Sequence, residues 1–117
     1  MALHHHLPIY KVAYDLLGTV TDLVKNMERG FKRSVGEKLS TEAVEIVVLI
    51  FRANVARDKA EHISDLIERV QIAELLLRLS CDKGLISKGQ YAKAIELTTS
   101  VGKQATGWRR HAASPAS

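Results

Sequence analysis

This sequence reads as all-α, an antiparallel up-down-up-down four-helix bundle, and three observations lead there. Apolar residues recur at spacings of three and four in four separate segments. Only 5% of residues are aromatic and 2 are Pro, against 46% hydrophobic residues drawn mainly from Leu, Val, Ile and Ala, a mixture that favours helix over sandwich or barrel. The connections are short enough to force antiparallel neighbours, apart from the stretch between Gly30 and Ser40. With 117 residues, one domain with one core is expected. Residues 8–111 form the bundle, 1–7 a disordered histidine-containing tip and 112–117 a flexible tail.

The first helix begins after Pro8, a residue suited to a first turn. Ile9, Val12, Ala13, Leu16, Leu17, Val20, Leu23, Val24 and Met27 make one stripe, and Gly30 is the expected stop. The second can start anywhere from Ser34 to Thr41, since both are cap-type residues backed by Glu37 or Glu45. From Ala43 to Val55 it is apolar nearly all the way round. The β-branched run would also suit a buried strand, but the flanks at Leu39 and Val55 extend it beyond strand length.

Asp58 or Ser64 opens the third helix, with Ile63, Leu66, Ile67, Val70, Ala73 and Leu77 as its stripe. Ile72, Leu75, Leu76 and Leu79 widen that stripe beyond one core face. Lys83-Gly84 closes it. Ser87-Lys-Gly-Gln90 is a capping-box pattern for the fourth. Its inner face is Tyr91, Ala94, Ile95, Thr98, Val101, Ala105 and Trp108, with Gly102 and Gly107 expected to allow close packing. A helix with no wet face needs cover on more than one side. Val44, Val48 and Phe51 on the second helix, with Leu75 and Leu76 on the third, are therefore the expected oligomer interface.

No catalytic constellation emerges. Glu42 and Glu45, like Asp65 and Glu68, sit at helical spacing but lack the Glu-x-x-His motifs of a di-iron bundle, and solvated faces are expected for them. His4, His5 and His6 would bind metal only adventitiously, and Cys81 has no second cysteine to pair with or to build a zinc site. Phosphate loops, dinucleotide fingerprints and nucleophile elbows are absent from the sequence. A non-enzyme without cofactor or metal is expected. The single cysteine suits a reducing cytoplasm, the polar first seven residues do not read as a signal peptide, and the longest apolar run, Ile46 to Phe51, is far too short for a membrane span.

Net charge is +4, which makes polyanions plausible partners. In an up-down bundle one end would collect Arg29, Lys32, Arg33, Lys38, Arg78, Lys83 and Lys88 against Glu28, Glu37 and Asp82. The opposite end would carry Arg52, Arg57, Lys59, Lys103, Arg109 and Arg110, diluted by Asp58, Glu61 and Asp65. No aromatic interleaves these cations, so phosphate contact without base readout is the mode they suit. The plainer reading is charge for solubility. Five copies of a +4 chain would carry roughly +20.

Tyr10-Lys-Val-Ala-Tyr-Asp-Leu-Leu17, Leu75-Leu-Leu-Arg-Leu79 followed by Asp82, Gln90-Tyr91, and Gly102 with Gly107-Trp108 occur in that order. Together they resemble the four-helix-bundle family that includes the accessory variability determinant (Avd) proteins of diversity-generating retroelements. Bundle proteins encoded within rRNA intervening sequences are relatives. The similarity covers roughly Leu7 to Arg110. It implies a homopentameric ring that binds a reverse transcriptase and its template RNA or cDNA, the reverse transcriptase carrying the chemistry. Arg78 matches the basic position of the family's Leu-Arg-Leu stretch. Glu74 stands where relatives often place a second basic residue. The alternative is an oligomeric interaction or structural bundle of the rRNA-insert type with no nucleic-acid role.

Overall fold

Pro8 has no amide hydrogen to leave unpaired in a helix's first turn, and the first long helix starts on it. In the computed structural model, which describes residues 3–112, α1 runs Pro8–Lys25, α2 Glu37–Val55, α3 Ala60–Asp82 and α4 Lys88–Ala112. Among the described residues there is no strand. α1 packs on α2 and α4, and α3 packs on the same two, so the four helices enclose one core. Leu16, Leu39, Ile46, Ile50, Ile63, Leu66 and Leu77 lie fully buried in it. The molecule measures 50 × 20 × 19 Å.

The α1 stripe emerges as read: Ile9, Ala13, Leu16, Val20 and Leu23 are buried along one face, with Met27 beyond the helix end. Its stop is not Gly30. The helix ends at Lys25, where the amides of Asn26 and Met27 turn back to the carbonyls of Leu23 and Val24, and the Asn26 side chain donates to Asp22 O at 3.1 Å. Gly30 lies inside the next helical turn. Arg29–Phe31 form one α-turn, Lys32–Gly36 follow as a π-helical stretch, and α2 continues from Glu37. α2 thus starts between Ser34 and Thr41, on helical backbone that reaches back to Arg29. Neither residue caps it: the Ser34 hydroxyl donates back to Gly30 O and Phe31 O, and that of Thr41 to Glu37 O.

The wide π turn brings Gly36 against α1. A Cβ there would stand 2.9 Å from Val24 Cγ1 and 3.4 Å from Met27 Sδ. Valine is stiff at χ1, so the two segments would have to separate. Gly36→Ala is therefore expected to lose about 1–2 kcal/mol, the strain outweighing the roughly 1 kcal/mol gained in helix propensity. At Gly107, by contrast, nothing lies within 4 Å of a built Cβ, and Gly107→Ala should gain up to about 1 kcal/mol. Thermal melts at one protein concentration should move in opposite directions for the two variants.

α3 starts at Ala60, whose amide donates to Asp58 Oδ1 at 3.3 Å, so Asp58 rather than Ser64 supports that end. It closes at Gly84, which adopts φ +73. There the amides of Gly84 and Leu85 reach back to Cys81 O and Ser80 O, satisfying carbonyls the helix would leave open. The α4 capping box forms in full: Gln90 N donates to Ser87 Oγ at 3.0 Å and Ser87 N to Gln90 Oε1 at 2.8 Å. Tyr91, Ile95 and Trp108 are half-buried rather than enclosed.

Two boundary expectations change. His4–His6 form a 3-10 turn rather than a disordered tip, because the His4 ring has somewhere to sit: edge-on to Tyr10 at 5.1 Å and Phe51 at 4.8 Å between centroids. Ala112 ends α4. The remainder of the expected tail, 113–117, lies outside the described residues.

Candidate self-association and nucleic-acid surfaces

α2 must bury two sides, one against α1 and one against α3, and its sequence supplies more apolar residues than those sides use. Val44, Val48, Phe51 and Val55 follow at i, i+4, i+7 and i+11, a single stripe. Val44, Phe51 and Val55 are exposed at 45%, 44% and 48%, and Val48 is half-buried. On α3, Leu75 is 66% exposed and Leu79 37%. Five large apolar residues on two neighbouring helices therefore face outward. Single exposed apolar side chains are ordinary, whereas several of them, a row on α2 and a pair on α3, mark surface that something covers.

Leu76 does not belong to that pair. It is buried at 9% within the bundle core, because consecutive residues on a helix point about a hundred degrees apart. The outward turn after Leu75 is continued by Leu79, so the widening of the α3 stripe points to solvent at Leu75 and Leu79 and inward at Leu76.

The basic residues distribute unevenly. Arg29, Arg33 and Lys38 are exposed around the π-helical entry to α2, with Lys32 half-buried beside them. Lys83 and Lys88 are exposed at the α3–α4 connection. Arg78 is well exposed, its side chain at 70% and 3.5 Å from Asp82 one turn on. An exposed pair of this kind holds the guanidinium weakly, so it stays available.

The other set of cations separates into different places. Arg52 is exposed near the end of α2. Arg57 lines a recess of about 290 Å³ with Asp58, Lys59, Trp108 and His111. Arg110 lines a different groove, between α3 and α4, with Lys103, and Arg109 is half-buried. Lys59 is half-buried and engaged by backbone. Its Nζ donates to the carbonyls of Ala53, Asn54 and Ala56 at 2.9, 2.9 and 3.0 Å, closing the C-terminal end of α2.

The acidic residues also depart from a uniformly solvated pattern. Glu42 is buried at 6% and receives Arg69 Nη1 at 3.0 and 3.3 Å on its two oxygens. Residues 27 positions apart leave no local pattern by which this pair could be found. Glu74 accepts the Thr98 hydroxyl at 2.8 Å and so ties α3 to α4. Among the described residues no cluster of three or more His, Cys, Asp or Glu is gathered closely enough to hold a metal ion.

No protein-family model matches the chain, and no curated protein is significantly similar to it.

Proposed function

We propose that the chain is a non-catalytic accessory protein of the Avd type, assembling as a ring-like homopentamer in the cytoplasm. The ring binds a reverse transcriptase and its RNA or cDNA through basic surfaces, supporting mutagenic reverse transcription. The observation that carries the reading is the outward apolar row Val44, Val48, Phe51 and Val55 on α2, together with the exposed Leu75 and Leu79 on α3, on helices whose inner faces are already used. Burying such a row between copies removes apolar surface from water and brings several sets of cations onto one body.

An antiparallel order of the helices is part of this reading. It is supported by two meetings: Asp22 and Leu23, late in α1, line a recess with Gln90 and Lys93, early in α4, and Tyr10, early in α1, shares the His4 ring with Phe51, late in α2. In that order the α1–α2 and α3–α4 connections share one end, gathering Arg29, Lys32, Arg33, Lys38 and Lys83 near Arg78. A membrane is not among the partners proposed, and no helix among the described residues is long and apolar enough to cross one.

The test is a salt titration of RNA binding. Phosphate contact releases condensed counterions, so affinity should fall by at least about a hundredfold between 50 and 200 mM salt if six or so phosphates are engaged. An oligomer that ignores RNA at low salt would instead be an interaction bundle of the rRNA-insert type, and the nucleic-acid part of the proposal would be wrong.

A further inference from the structure

We infer that the groove between α3 and α4 is a track for the sugar–phosphate backbone of a single nucleic-acid strand. The inference rests on the nucleic-acid reading above and moves the contact from the bundle ends to its side. The groove encloses about 460 Å³. Its α4 wall presents Thr99, Lys103, Thr106 and Arg110, residues at i, i+4, i+7 and i+11 that fall in one row. Gln71 lies across from them on α3, and Arg78, seven residues further along, shares its helical face. Ammonium, guanidinium, hydroxyl and amide groups are the side chains that contact phosphate oxygens.

The charge agrees with that occupant. Lys103 and Arg110 are the groove's cations, and Glu96 lines an adjoining recess with Thr99 and Lys103. The one carboxylate in the groove, Glu74, is on the α3 side and engages Thr98, so a phosphate chain is directed toward the α4 wall. No aromatic lines the groove, which leaves backbone contact without base stacking.

Two glycines complete the track. Gly102 has only Val70 Cγ1 near its missing Cβ, at 3.8 Å, and Gly107 has nothing within 4 Å. The close helix packing that the sequence suggested for them is absent. Each costs about 1 kcal/mol of helix propensity relative to alanine, and both open onto the groove, where a bare backbone lets an occupant come close. Lys103 and Arg110 are seven residues apart, about 10 Å along the helix, which matches about three nucleotides at a stacked rise of about 3.4 Å. One groove alone would bind weakly. Repeated around an oligomer, the same contacts would add through effective concentration.

The experiment is fluorescence anisotropy of a labelled 20-nucleotide oligouridine RNA at 50 mM salt, with circular dichroism confirming the helicity of every variant. Gly107→Leu fills the groove without changing charge, and Lys103→Gln removes a cation without changing shape greatly. Each should weaken binding about tenfold or more. Gly18→Leu, on α1 and equally open, should leave it unchanged. The inference is overturned, and the broader nucleic-acid reading kept, if both groove variants bind like wild type while a triple Arg29→Gln, Lys32→Gln, Arg33→Gln variant does not. Wild type that fails to bind overturns both. Displacement of the RNA by poly-L-glutamate as readily as by unlabelled RNA also overturns it, pointing to an acidic protein segment as the occupant.

Discussion

Replacing Arg69 by alanine should lower the unfolding free energy by about 2–3 kcal/mol, through the carboxylate it leaves behind rather than through the contact it removes. Glu42 is buried at 6%, and Arg69 Nη1 contacts both of its oxygens. Truncating one partner of a fully buried pair costs about 3–5 kcal/mol. The Arg69 side chain is 38% exposed, so water reaches this pair from one side and the lower figure applies. The diagnostic control is the double variant Glu42→Leu, Arg69→Met, which removes both charges and keeps the volume. It should be close to neutral. Urea unfolding at one protein concentration gives the comparison. A double variant as unstable as Arg69→Ala would show that the pair itself, not the stranded charge, was stabilising.

Lys59→Met should cost about 2–3 kcal/mol. A helix leaves its last carbonyls without intrahelical partners, and α2 meets this by directing one ammonium at two of them, those of Ala53 and Asn54, and at the carbonyl of Ala56 just past its end. Hydrogen bonds from a charged donor contribute about 1.5–3 kcal/mol net, and a cation at a helix C-terminus adds a favourable dipole interaction. Methionine keeps the apolar stem and removes the donors, so the loss reports the cap alone. Lys59→Arg should fall between wild type and Lys59→Met, because a planar guanidinium cannot converge on three carbonyls as an ammonium does. Equal stability of Lys59→Met and wild type would contradict the capping role. The same geometry explains why Lys59 is not offered to polyanions despite its basic character.

What could be read from the chain alone follows the range of the interaction. The α1 stripe, the Gly84 stop and the Ser87–Gln90 box depend on residues within a few positions of one another, and all three form as read. The start of α2 at Glu37 lies inside the expected range, but Ser34 and Thr41 do not cap it, and the contact of Gly36 with Val24 and Met27 of the preceding segment has no local signature. Leu75 and Leu76 are equally apolar, and only the packing of α3 against its neighbours separates the exposed one from the buried one. Glu42 and Lys59 looked like surface charges for the same reason. Their partners are set by tertiary packing and by the geometry of a turn, which composition and spacing do not encode. The candidate site shows the same division: its cations were legible individually, but their separation into an end cluster, a recess and a side groove depends on how the helices meet.

Sedimentation velocity of the purified chain at micromolar concentration bears on the whole reading through its mass. A species of five chains, each of 13.0 kDa, is expected, reduced to single chains by Phe51→Glu with Leu75→Glu at unchanged helicity. A wild-type chain that sediments as a stable monomer would mean that the outward apolar residues on α2 and α3 cover nothing, and the ring would have to be abandoned.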